Sequence, residues 1–113
     1  MIYKLIITGG RDYNDYAMVV DVLNHLNPSV VIQGGATGAD ALAREWALDN
    51  GKEVITYNAD WDIHGKSAGP IRNKQMCSEH KDAILIAFQG GKGTENCVNE
   101  AVKLNMIVLR VEH

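Results

Sequence analysis

Paired glycines occur at three places in the chain: Thr8-Gly9-Gly10-Arg11, Gln33-Gly34-Gly35-Ala36-Thr37-Gly38 and Gln89-Gly90-Gly91-Lys92-Gly93-Thr94. Each pair follows a short apolar run and precedes a segment with helical spacing. Glycine permits positive φ and lets a ligand come close to the main chain. The helix behind such a turn offers unpaired N–H groups and a partial positive charge to an anion. Phosphate binding is therefore the chemistry these turns suit best. Arg11 follows the first pair directly, and a guanidinium grips phosphate through parallel hydrogen bonds. Gly69-Pro70-Ile71-Arg72-Asn73-Lys74 sets Arg72 in what reads as the first turn of a helix. A cation there works against the helix dipole, and an anionic ligand would explain it. His64 and Lys66, in the loop before, are placed to close over a ligand, while Trp61 either stacks on a base or pins that loop.

Two further residues carry alternatives. Thr94 is suited to cap the helix behind the third glycine pair or to donate its hydroxyl to phosphate. Thr37 and Asp40 have capping-box spacing, so Asp40 either completes a helix start, accepts hydrogen bonds from a ribose or base, or orders the cleft. The expected ligand-binding set is the turn glycines (Gly9, Gly10, Gly34, Gly35, Gly38, Gly90, Gly91, Gly93) with Arg11, Thr37, Asp40, His64, Lys66, Arg72, Asn73 and Thr94. Two common nucleotide fingerprints fail. The first turn lacks the G-x-G-x-x-G spacing of dinucleotide folds. Gly65-Lys66-Ser67 looks like the tail of a Walker A loop, but Asp60 stands where that loop needs glycine.

The elements that must position these residues alternate in type. Residues 3–8, 30–32, 53–57, 82–88 and 106–111 read as strands, of which 30–32 is wholly apolar in the manner of a parallel strand buried on both faces. Between them, Tyr16, Val19, Val20 and Leu23 recur at helical spacing, as do Ala39, Leu42, Ala43, Trp46 and Ala47. Asn14 or Asp15 is placed to cap the first helix, and Asn27-Pro28-Ser29 to stop it. Residues 58–69 break the rhythm as a long polar loop, with Pro70 in the first turn of the helix that follows. A third helical stripe brings Cys97 or Val98, Ala101 and Leu104 inward. Strands alternating with helices imply an α/β fold: one parallel sheet, helices on both faces, ligands beyond the strand carboxyl ends at the switch point. In the order 3-2-1-4-5, the first and third glycine turns face each other across that crevice, with the second beside them.

Composition narrows the partners. The chain has 113 residues, which fits one domain, and a net charge of −3, which disfavours duplex DNA. Cys77 and Cys97 lack metal-type pairing and read as reduced thiols, which points to the cytoplasm and to no metal site. No signal peptide or membrane-spanning run is evident.

Together the motifs Ile7-Thr8-Gly9-Gly10-Arg11, Gly34 to Asp40, His64-Gly65-Lys66 to Asn73 and Gly90 to Thr94 resemble the YspA-like, cpYpsA-related branch of the SLOG superfamily. The resemblance spans the chain and implies a Rossmann-like three-layer sandwich over residues 1–113. The LOG enzymes of that superfamily are phosphoribohydrolases that cut the base from nucleoside 5′-monophosphates. Their P-G-G-x-G-T-x-x-E motif is similar to residues 89–97, with Gln89 for proline and Cys97 for the catalytic glutamate. Their R-K-x-x-M motif is similar to Arg72-Asn73-Lys74-Gln75-Met76. Cleaving an N-glycosidic bond develops positive charge on the sugar, which a carboxylate stabilises and a thiol does not. If the chain is an enzyme, Arg72, Asp40 and Glu95 are the candidate catalytic residues. The favoured reading is a module that binds an ADP-ribose-like or NAD-like ligand or a nucleoside monophosphate, as a sensor or sequestering protein, for example in phage–host conflict. A LOG-type nucleotide N-glycosidase is the alternative. Single-stranded nucleic acid binding, by likeness to the DprA proteins, is weaker, because only 6% of residues are aromatic. The resemblance also implies a homodimer or larger assembly; no cofactor is expected.

Overall fold

The computed structural model describes residues 3–112, so Met1, Ile2 and His113 of the domain expected over 1–113 lie outside the described residues. The strands are β1 (Lys4–Thr8), β2 (Val30–Gln33), β3 (Glu53–Thr56), β4 (Ile84–Ala87) and β5 (Val108–Arg110). All neighbours pair in parallel, in the order β3-β2-β1-β4-β5. The helices are α1 (Tyr16–Leu26), α2 (Ala39–Asp49), α3 (Trp61–His64), α4 (Ala68–Glu79) and α5 (Lys92–Lys103).

Strand side chains alternate between faces, and the core divides accordingly. Leu5, Ile7, Val31 and Ile86 pack on one face with Val19 and Leu23 of α1 and Ala39, Ala43, Trp46 and Ala47 of α2. Ile6, Ile32 and Leu85 pack on the other with Met76 and Cys77 of α4 and Cys97, Val98 and Ala101 of α5. This is a three-layer sandwich of Rossmann-like type. Asp15 caps α1 through the Met18 N–H, and Asn27 ends it in a left-handed conformation at φ 48°.

The long polar loop expected at 58–69 is instead largely helical. Asp60 accepts from the Ile63 N–H and starts α3, a 3₁₀ turn follows at Gly65–Ser67, and α4 begins at Ala68. Pro70 thus remains in the first turn, but Arg72 is the fifth residue of α4. The dipole argument for Arg72 therefore fails, because the effect fades within one turn.

Candidate functional site

A cleft of about 570 Å³ opens beyond the carboxyl ends of β1 and β4. Thr8, Gly9, Gly10 and Arg11 form one wall, and Gly34, Ala36 and Asp40 a second. Trp61, Lys66, Arg72 and Asn73 come from the α3–α4 side, and Gly91, Lys92, Gly93, Thr94 and Asn96 from the third turn and α5. The three glycine turns thus meet at one place, where the strand order reverses.

They do not do the same work there. In the first turn the Gly10 N–H goes to the Gln89 carbonyl at 2.8 Å. A Cβ at Gly9 would press on the Cβ atoms of Ala39 and Phe88, so that glycine is required by packing. In the second turn the Asp40 carboxylate takes the N–H groups of Gly34 (3.1 Å) and Ala36 (3.4 Å). Wholly buried Gln33 takes the Gly35 N–H at 2.6 Å and donates to the Thr56 hydroxyl. Gly38 sits at φ 73°, with the Gly10 carbonyl where a side chain would be, and the Ala39 N–H donates to that same carbonyl. The expectation that every turn offers free donors is corrected here: the Gly10 N–H of the first turn and the Gly34, Gly35 and Ala36 N–H groups of the second are spent inside the protein.

The third turn is different. The first helical hydrogen bond of α5 runs from the Glu95 N–H to the Gly91 carbonyl. The N–H groups of Lys92, Gly93 and Thr94 lie ahead of it, as at any helix start, and have no partner among the described residues. Nothing stands within 4 Å of where a Cβ would sit on Gly91 or Gly93, and neither has positive φ. Neither glycine is demanded by backbone conformation or by packing. Gly91, not Thr94, is the cap residue, and Thr94 is buried in the first turn.

Arg11, Lys66, Arg72 and Lys92 line the same cleft as this turn. The Arg11 guanidinium lies 5.2 Å over the Trp61 ring, so Trp61 stacks on a protein cation and lines the cleft at once. Arg72 is a clasp. Its Nη1 donates to the carbonyls of Gly34 (2.5 Å) and Tyr57 (3.3 Å), and its Nε to Asn73 Oδ1 (2.8 Å). A Cβ at Gly34 would land on that guanidinium. Nη2 has no hydrogen bond among the described residues. Asn73 gives both amide protons to α5, to the Gly93 carbonyl and to Asn96 Oδ1, so it ties α4 to the third turn rather than presenting donors to a sugar.

The acids and thiols sort clearly. Asp40 is 7% exposed, and burial raises its pKa to about 6, against the pull of the Ala36 and Gly34 N–H groups and of Arg72 and Arg11. It is the one carboxylate lining the cleft among the described residues. The capping-box reading is corrected, because Gly38 is the α2 cap and Asp40 instead secures the turn before it. Glu95 lies elsewhere, bidentate to Arg110 at 2.8 and 2.9 Å beside β5. Cys97 is fully buried, and its hydrogen bond with Cys77, together with burial, pushes its thiol pKa up and keeps it protonated. His64 is exposed and does not line the cleft. Gly35, Thr37, Gly38 and Gly90 shape it from behind; the Thr37 hydroxyl donates to the Arg11 carbonyl, and Gly90 packs on Thr94 and Gly10. Lys92 and Asn96 are cleft residues the motif reading passed over, although Lys92 stands inside the third glycine run.

Residues 3–64 match the model of the YspA, cpYpsA-related SLOG family. The chain belongs to this family. The match ends before α4 and the third turn, but a relative extends across both. The "Gene 61 protein" of Mycobacterium phage D29 is 37% identical, over 94% of this chain and 94% of its own. Among solved structures, DNA processing protein A (DprA) from Streptococcus pneumoniae superposes with a TM-score of 0.81 at 18% identity. That likeness covers 99% of this chain and 51% of DprA, so this SLOG chain spans about half of that protein's length, and at such identity the shared feature is the fold.

Proposed function

We propose that this SLOG protein binds a nucleotide or nucleotide-derived ligand, with a phosphate at the N-terminus of α5, and holds it without cleaving it. One observation carries the reading: Gly91 and Gly93 leave open space beside three N–H groups with no partner among the described residues, in a cleft that Arg11, Lys66, Arg72 and Lys92 also line. A glycine inside a helix with no conformational or packing role, as Gly93 is, costs stability, and an approaching phosphate accounts for it. The ADP-ribose-like, NAD-like and nucleoside monophosphate classes all supply such a group. The phage relative favours a role in phage–host conflict, as sensor or sequestering protein, acting in the cytoplasm as a single binding domain. Exposed Trp61, Ile63 and Ile71 beside the cleft favour a homodimer or larger assembly.

The acids argue against hydrolysis. The position of the LOG glutamate holds a protonated, buried thiol, and Glu95 is engaged with Arg110. Asp40 is the one observation on the enzymatic side: a cleft carboxylate with a pKa of about 6 suits general acid–base chemistry. Incubation of purified protein with a nucleotide panel, followed by mass spectrometry of bound and converted species, separates the two. The binding reading expects an intact nucleotide released on denaturation. Free base formed at a rate abolished by Asp40→Asn would establish the hydrolase instead. Salt-sensitive retardation of an oligonucleotide, with no mononucleotide binding, would favour the DprA-like reading.

A further inference from the structure

We propose that Asp40 is a specificity-determining residue: its Oδ1 accepts a hydrogen bond from a hydroxyl of the sugar that carries the phosphate. The proposal rests on the phosphate reading above and adds the group that must accompany the phosphate.

The two carboxylate oxygens have separate tasks. Oδ2 holds the Gly34 and Ala36 N–H groups. Oδ1 has no hydrogen bond among the described residues. No buried side-chain oxygen or nitrogen among them is both sealed from solvent and unpartnered, so Oδ1 keeps some exposure, on a side chain that lines the cleft. The charged and titratable groups facing Asp40 are Arg72 from α4, Arg11 from the first turn and Cys97 from α5. Neither arginine donates to it; Arg72 spends its bonds on Gly34, Tyr57 and Asn73.

A carboxylate is a poor choice for a cleft that holds only an anion, because it repels the ligand. Asparagine would serve the two backbone N–H groups through its carbonyl oxygen without that repulsion. An acid with one oxygen left over makes sense when the ligand presents a donor close to its charge. Phosphorylated sugars have that combination, since a ring hydroxyl can donate and the carboxylate makes the bond charge-assisted.

The test uses two phosphomonoesters without a base: ribose 5-phosphate, and tetrahydrofurfuryl phosphate, in which the ring lacks hydroxyls. Titration calorimetry on the wild-type protein is expected to show ribose 5-phosphate binding about tenfold tighter or more, the worth of one charge-assisted hydrogen bond. In Asp40→Asn the gap is expected to close to within about threefold. Binding of tetrahydrofurfuryl phosphate should tighten as the repulsion disappears. A purely structural Asp40 would move both affinities together and leave their ratio alone. The wild-type protein gives a second reading free of any folding question: its preference should shrink as pH falls through about 6, where Asp40 takes up a proton. Equal binding of both esters by the wild-type protein, or a ratio unmoved by Asp40→Asn and by pH, overturns the proposal and leaves the phosphate site standing. Failure of both esters to bind overturns the proposal and the phosphate site together.

Discussion

Gly93→Ala sets stability and binding against each other. Gly93 is the second residue of α5, without positive φ, and its missing Cβ would meet nothing within 4 Å. Alanine is preferred to glycine in a helix by roughly 0.5–1 kcal/mol. For a domain of this size that corresponds to a rise of roughly 2–5 °C in Tm. The added methyl group, however, occupies the space before the Lys92, Gly93 and Thr94 N–H groups, where a phosphate oxygen needs to come within about 3 Å of nitrogen. Affinity for a 5′-nucleoside monophosphate should fall at least about tenfold, or about 1.4 kcal/mol. Scanning fluorimetry and titration calorimetry on the same preparation read both effects. The matching control is Gly38→Ala, which places a side chain on the Gly10 carbonyl at φ 73° and should lower Tm. A stabilised Gly93→Ala protein with undiminished nucleotide affinity would refute the claim that this space belongs to a ligand.

Arg72→Ala removes bonds to the Gly34 and Tyr57 carbonyls and to Asn73; it should lower stability in urea by about 1–2 kcal/mol and weaken nucleotide binding. Arg72→Lys should restore neither, because one ammonium cannot reproduce the fork between Gly34 and Asn73. Asp40 gives a pH signature. Its folded pKa is raised from 3.8 to about 6, so its contribution is complete below 3.8 and is lost as pH rises through 6. At about 1.4 kcal/mol per unit, Asp40→Asn should gain up to roughly 3 kcal/mol at pH 7 and nothing near pH 3.5, measured by urea unfolding at both values. Cys77 and Cys97 are both fully buried, so a hydrophilic maleimide should modify them only as fast as the protein unfolds; rapid labelling of the native state would contradict the α4–α5 packing.

Much of the architecture is legible in the chain because its signals are local. Apolar runs such as Leu5-Ile6-Ile7 and Ala83 to Phe88, each ending at a glycine pair, mark buried parallel strands and their carboxyl ends together. The helical content of residues 61–67 is not legible, because a single turn carries no periodicity; the Asp60 cap is the one local clue. The unequal roles of the glycine turns are hidden for another reason. Whether a turn N–H is free depends on distant acceptors, as with Gln89 for Gly10, or on one side chain's direction, as with Asp40 for Gly34. Glu95 misleads in the same way. It is a candidate only because it lies two residues before the LOG glutamate position, and the helix phase turns it toward Arg110 at the end of β5.

The most direct test of a phosphate at the α5 N-terminus is an amide ¹H–¹⁵N titration with inorganic phosphate and with a nucleoside monophosphate. The account predicts that the largest shifts fall on Lys92, Gly93 and Thr94, while Gly34 and Ala36, already bonded to Asp40, move less. Largest shifts at Gly34–Ala36, or none at the start of α5, would contradict it.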